Sequence, residues 1–290
     1  MRLRILDVPN IFRPVCKIIN PPHQKNSFMI EEKAFNYFKS RNIDSDYIYV
    51  PISWTAYHVN NNFGKNLNDL YNFCNSLSKK YKNEKFFTIV QYDGGILVPF
   101  NNCTIFGCSG NFDSPKGINS NYIPIPLLSD PHNIKPIKKK FLAFFSGNFQ
   151  THPIRDKMFN ILSSQKGFKF SKPSRYFNNF FYKRNMLSSI FALCPRGYGP
   201  ASFRMYEALQ MKLIPIYISD EFWLPYKDQI NWEKIAILIK ENDIGQIPGI
   251  INNLVDTLEY KKILDYTASI FDNYFTWHGC LKQIETKICL

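Results

Sequence analysis

Hydrophobic positions along this chain switch repeatedly between two spacings. Compact apolar runs of strand length fall at 2–8 (RLRILDV), 47–54 (YIYVPISW), 86–93 (FFTIVQYD) and 103–109 (CTIFGCS). Residues 67–81 place Leu67, Leu70, Tyr71, Phe73, Cys74 and Leu77 on roughly one face, which predicts an amphipathic helix. The same recurrence through Phe28, Ala34, Phe35 and Phe38 predicts a helix over 28–40. Prolines hold 122–128 (YIPIPLL) extended. Strands that alternate with helices form parallel sheets, because parallel neighbours need a crossover between them.

A basic stretch at 134–141 (IKPIKKKF) interrupts the alternation, which then restarts. Strands are predicted at 140–147, 189–195, 214–219 and 235–240. Helices are predicted at 151–164, with Thr151 as N-cap, and at 200–212, 245–258 and 260–275. The chain accordingly divides into two α/β blocks, 1–135 and 136–270. Residues 271–290 form a terminal helical segment that packs back on the first block.

Composition narrows the classes. With 45% hydrophobic and 20% charged residues over 290 positions, the chain is a globular protein large enough for two domains. A formal charge of +13 favours an anionic partner without choosing among nucleic acid, a phosphorylated ligand and an acidic surface. The seven cysteines are odd in number and form no C-x-x-C, and the five histidines form no metal-ligand pair. Reduced thiols, no zinc site and a soluble cytoplasmic protein are expected. No apolar run is long enough to span a membrane.

The most constrained stretch is FALCPRGYGPASFRMYEALQMKLIPIYISD, residues 191–220. Pro195, Gly197, Gly199 and Pro200 crowd a loop between a predicted strand and a predicted helix. One tight backbone shape is implied. With Gly199 as cap and Pro200 as first helical residue, Ala201, Ser202 and Phe203 present the helix's unpaired N–H groups, where the helix dipole adds about half a positive charge. Arg196 and Arg204 add full charges suited to phosphate oxygens. Glu207 has two readings: acceptance of both hydroxyls of a ribose, or an i,i+3 pair with Arg204.

Residues 193–232 resemble the signature of the exostosin-like glycosyltransferases, a C-P-R-G, S-x-R, E-A-L, I-P-V, S-D and L-P-F string. RILDVPNIF, YVPISW, FFTIVQYDGG and FFSGN…HPIRDKMFN resemble further family segments. Tyr92-Asp93-Gly94 stands where many members carry His-Asp-Trp. The resemblance implies an α/β GT-B fold, two Rossmann-like domains with the active site in the cleft between them. It implies inverting transfer from a UDP-sugar, UDP-xylose or another UDP-pentose or hexose, to a glycan acceptor. In size and lack of a membrane anchor the chain looks like the compact members found in large DNA viruses of algae. Arg196, Ser202, Arg204 and Glu207 fall on the matching donor-site positions.

The remaining candidates follow from that chemistry. Arg196, the helix start at 201–203 and Arg204 are expected to stabilise charge on the departing diphosphate, with Gly197 in that loop, and the loop after Gly147 is an expected neighbour of the uracil. Asp93 is the expected base, against the alternative of a turn cap before Gly94-Gly95. Glu221 and His58 are the other acceptor-side candidates, against a solvated loop and a partly buried histidine. Arg175 and Tyr176 are candidates for the uracil, against a plain surface loop. The lone D-x-D, Asp44-Ser45-Asp46, precedes a strand and reads as a turn cap, so no metal and no other cofactor is expected to be obligatory. The rival readings are a basic nucleic-acid-binding protein and a non-catalytic carbohydrate-binding module.

Overall fold

The computed structural model describes residues 2–17, 29–110, 121–132, 135, 137–171 and 179–289. Contacts divide the chain into two units, one of Met1–Leu127 with Thr276–Leu290 and one of Leu128–Phe275.

The first unit is built on five parallel strands set side by side in chain order: β1 (Arg4–Ile5), β2 (Tyr47–Tyr49), β3 (Lys85–Val90), β4 (Cys103–Gly107) and β5 (Tyr122–Pro124). Helices α1 (Ile30–Lys39), α2 (Trp54–Asn60) and α3 (Asn68–Lys80) supply crossovers. In β3, Phe86 to Val90 are all buried, the near-continuous apolar run of a strand covered on both faces. Its one polar member, Thr88, accepts from Trp54 Nε1 at 2.7 Å and donates to the Val50 carbonyl at 2.8 Å. The strand in 47–54, expected to end at Pro51, stops at Tyr49, since Pro51 has no N–H for the ladder, and Trp54 opens α2.

In the second unit β6 (Phe141–Ser146), α4 (Ile154–Leu162), β7 (Phe168–Ser171), α5 (Asn179–Leu187), β8 (Ser189–Pro195), α6 (Phe203–Gln210), β9 (Ile214–Ile218), β10 (Ile237–Ile239), α7 (Ile247–Leu254) and α8 (Leu258–Tyr274) follow in turn. The strands are parallel in the order β10-β9-β8-β6-β7. Phe145, Met158, Leu193, Ile216 and Ile251 are fully buried in its core. Thr151 does not cap α4. It ends a 3-10 turn capped by Asn148, and Pro153 precedes the helix.

The last helix, α9 (Trp277–Ile288), belongs to the first unit and packs on α1. Tyr37 Oη donates to Glu285 Oε2 at 2.6 Å, and Ser45 Oγ donates to the Ile288 carbonyl at 2.6 Å. The units part at Phe275/Thr276, where Thr276 caps α9, and at Leu127/Leu128, where the sequence pattern had placed 270/271 and 135/136. No helix among the described residues is long and apolar enough to cross a membrane.

The first turn of α1 carries two carboxyls in different surroundings. Glu32 Oε2 accepts from the Met29 N–H at 2.8 Å, an ordinary capping contact. Glu31 is buried, and its Oε2 has no hydrogen-bond partner among the described residues. Burial, with Glu32 adding to it, raises the Glu31 pKa from 4.5 to about 7. Between those values the folded chain holds a proton that the unfolded chain has released, so stability falls as pH rises through that window. Glu31→Gln removes this penalty. In urea melts the variant is expected to gain on the parent between about pH 4.5 and 7, by up to roughly 3 kcal/mol, with no further gain above. A difference constant across that range would refute the assignment.

Candidate functional site

The second sheet changes direction once. From β6 the chain goes to β7 on one side and then to β8 on the other, so the loops leaving β6 and β8 diverge from adjacent strands. A reversal of this kind opens a crevice at the carboxyl ends of the strands, where α/β sheets bind ligands. The two ends here are Ser146-Gly147-Asn148 and Pro195-Arg196-Gly197.

Three guanidinium groups gather at that point. Arg155, from the first turn of α4, donates Nε to the Arg196 carbonyl at 2.9 Å and Nη1 to the Asn148 carbonyl at 2.7 Å, so one side chain joins both loops. Arg204, from the first turn of α6, donates Nη2 to the Ser146 carbonyl. The Arg204 guanidinium carbon stands 4.5 Å from the centre of the Phe145 ring and that of Arg155 5.7 Å from it. Arg196 is pinned through its backbone N–H, which donates to the Ile218 carbonyl of β9 at 3.0 Å. The Nε atoms of Arg196 and Arg204 are buried with no hydrogen-bond partner among the described residues.

The glycines are explained by this crowding. A Cβ on Gly147 would stand 2.8 Å from Arg204 Nη2 and 3.2 Å from Phe145 Cζ. A Cβ on Gly197 would stand 3.0 Å from Arg155 Nη2. His152 adjoins the cluster, and burial, followed by the charge of Arg196, lowers its pKa and keeps its ring neutral at pH 7. An arginine stays charged under all ordinary conditions, so Arg155 and Arg204 packed against backbone carbonyls, with Arg196 in the adjoining loop, make a site with a strong preference for anions.

The helix that closes the site starts later than its sequence predicts. Pro200 and Ala201 are not helical, and Ser202 is the N-cap, extended at φ −140° and ψ 126°. The cause is Tyr217 of β9, whose hydroxyl donates to the Pro200 carbonyl at 2.7 Å and holds that segment against the sheet. The helix's first donors therefore begin at Phe203, and Ala201 and Ser202 lie beside them in the loop. Ser202 makes no side-chain capping bond within the described residues.

Glu207 shows a third arrangement beyond its two readings. Oε2 accepts from Tyr182 Oη at 2.5 Å, while Oε1 accepts from His132 Nε2 at 3.0 Å and Ser129 Oγ at 3.4 Å. The carboxylate is buried and raises the Tyr182 pKa further after burial has raised it. Sequence reasoning passed over Arg155, His152, His132 and Tyr182. Only the string HPIRDKMFN gave any signal, and only for the first two.

The other candidates are placed as follows. Asp93 lies half-buried in the turn after β3, in the first unit. His58 is not an acceptor-facing group. It is wholly buried on α2 beside the rings of Trp54, Tyr57 and Tyr92, and burial lowers its pKa to about 4. Glu221 is exposed after β9, its backbone N–H donating to Ser219 Oγ at 3.2 Å. Arg175 and Tyr176 lie outside the described residues. Asp44-Ser45-Asp46 precedes β2, with Ser45 Oγ accepting from the Tyr47 N–H at 3.1 Å. Among the described residues no group of three or more His, Cys, Asp or Glu is placed to hold a metal ion.

Residues 14–254 match the exostosin GT47 domain. Curated relatives include a probable glucuronosyltransferase, GUT1, of Oryza sativa subsp. japonica, 38% identical over 81 residues, which are 28% of this chain and 19% of that protein. A probable beta-1,4-xylosyltransferase, IRX10, of Arabidopsis thaliana is 37% identical over 81 residues, 28% of this chain and 20% of that protein. The matched segment thus spans about a fifth of these relatives' length. Among solved structures, a glycosyltransferase from Rickettsia africae aligns with 91% of this chain and 82% of its own at a TM-score of 0.41 and 14% identity.

Arg155→Lys tests the bridge between the two loops. Lysine keeps the charge but loses the fork that reaches two carbonyls at once. The change is expected to cost about 1–3 kcal/mol in urea melts, because part-buried carbonyls lose their donors. An unchanged midpoint and slope would show that the loops hold together without it.

Proposed function

We propose that this chain, which belongs to the exostosin GT47 family, transfers a sugar from a UDP-sugar to a hydroxyl of a glycan acceptor with inversion. The observation that carries the reading is the pair of buried, unpartnered Nε atoms on Arg196 and Arg204 at the sheet's reversal point. A diphosphate supplies the acceptor oxygens and negative charge that such a cluster lacks.

In the proposed reaction the acceptor oxygen forms a bond to the anomeric carbon. The bond from that carbon to the β-phosphate oxygen breaks, and its electron pair leaves with UDP. Asp93 takes the acceptor proton. Negative charge grows on the β-phosphate as the bond breaks, and Arg196, Arg204 and the first donors of α6 stabilise it more than they stabilise the bound donor. Arg155 holds the two loops to one geometry. Asp93 belongs to the first unit and the arginine cluster to the second, and the reading assigns the acceptor to the first unit and the donor to the second.

The names of the curated relatives favour UDP-xylose or UDP-glucuronate within the wider class of UDP-pentoses and hexoses. Three guanidinium groups supply the positive charge a pyrophosphate needs, and on this reading a divalent metal is dispensable.

Four measurements bear on the proposal. UDP at 100 times its Kd is expected to add about 2.7 kcal/mol to the stability of the parent. Arg196→Ala is expected to lower kcat about 10²–10³-fold, the effect of losing one donor to a developing oxyanion. Turnover within a few-fold of the parent would remove Arg196 from the mechanism. Saturable retention on DNA without any UDP effect would favour a nucleic-acid-binding protein. Activity is expected to survive EDTA, and abolition by EDTA with recovery in manganese would overturn the metal-free route.

A further inference from the structure

The turn that follows β3 is anchored at both ends by groups the proposed reaction does not otherwise use. At its start stands Gln91, buried against the first turn of α1. The Gln91 N–H donates to Glu31 Oε1 at 3.1 Å, Gln91 Oε1 accepts from the Ile30 N–H at 3.2 Å, and Gln91 Nε2 meets Met29 Sδ at 3.1 Å. The same Glu31 oxygen accepts from the Thr55 N–H at 3.1 Å and from Thr55 Oγ1 at 2.6 Å. One atom therefore ties α1, the start of α2 and the end of β3 together.

At the far end, the Ile96 N–H donates to the Tyr122 hydroxyl at 3.0 Å. Gly95 passes beneath that hydroxyl with φ +73°, and a Cβ there would lie 2.2 Å from the oxygen. Only glycine meets both conditions. Between the two anchors stands Asp93, half-buried, at the carboxyl edge of the first sheet.

Glu31 is an expensive way to fill space. Its Oε2 is buried with no hydrogen-bond partner among the described residues, and an apolar side chain would pack there without that penalty. What a carboxylate adds is three directed hydrogen bonds that converge on one oxygen and fix a turn. We infer that Glu31 is a positioning residue whose Oε1, with the Tyr122 hydroxyl, fixes the 91–96 turn and so holds the Asp93 carboxylate where an acceptor hydroxyl is deprotonated. The inference rests on Asp93 as the base in the reading above. A displacement of about 1 Å at a reacting group can cost about 10²-fold in rate.

The test compares Glu31→Ala, Glu31→Gln and Tyr122→Phe with the parent. It measures kcat, KM for the UDP-sugar, the stabilisation by UDP, and amide hydrogen exchange over 91–96. Glu31→Ala is expected to lower kcat about 10–100-fold and to quicken exchange in the turn, with KM and UDP stabilisation unchanged. Glu31→Gln, whose amide oxygen accepts the same bonds, is expected to recover most of the rate. If Glu31→Ala does not fold, Tyr122→Phe removes only a hydroxyl at the other anchor and is expected to show the same split between kcat and KM. A parental kcat in Glu31→Ala, or a loss spread equally over kcat, KM and UDP binding, would overturn the inference. A parent that neither binds UDP nor turns over would instead defeat the proposed activity. Exchange in the turn still decides the positioning part, and parental exchange in Glu31→Ala would refute it.

Discussion

The second unit is organised around positive charge held against the ends of two strands. The Arg155 guanidinium is the hinge pin of that arrangement, because it closes two hydrogen bonds to carbonyls that lie on diverging loops. Remove it and nothing else described joins Asn148 to Arg196 through a single side chain. The glycines at 147 and 197, the ring of Phe145 and the buried Arg204 all take their places from the need to pack guanidiniums flat against backbone. Burying such groups is unfavourable unless an anion completes them, and the proposed donor site rests on that imbalance.

The first unit shows the same economy with opposite charge. Glu32 does what a first-turn acid ordinarily does at a helix start, while its neighbour is turned inward to hold Gln91 and Thr55. Sites that violate the rules of burial tend to be the ones with work to do, since nothing else offsets their energetic penalty. Glu31 in the first unit and Arg196 and Arg204 in the second are among the buried groups with an atom that has no hydrogen-bond partner among the described residues.

Much of this was legible along the chain. Strands such as FFTIV and ALCP announce themselves by near-continuous apolar runs, and α3 by its repeat of three and four residues. Helix α2 was hidden because WTAYHVN follows strand-like residues directly and is too short to display a period. Helix α5, NFFYKRNML, spreads its apolar residues around the axis and carries no face to read. Arg196 and Arg204 could be picked out because a motif surrounds them. For Arg155 the string HPIRDKMFN gave a signal but not its partner, since it lies 41 residues from Arg196 and only the reversal of strand order brings the two together. Glu31 looked like any surface acid in a helix's first turn, and Pro200 was misassigned because the bond from Tyr217 is a tertiary contact.

The return of α9 to the first unit has a consequence for how the protein is made. Met1–Leu127 leaves the ribosome first, yet the helix that covers α1 follows only after all of Leu128–Phe275 has been synthesised. The second unit is contiguous and has all its residues once it emerges, whereas in the first Tyr37 and Ser45 lack Glu285 and Ile288 until α9 follows. Of the two units, the one begun first is thus the one whose contacts are completed second.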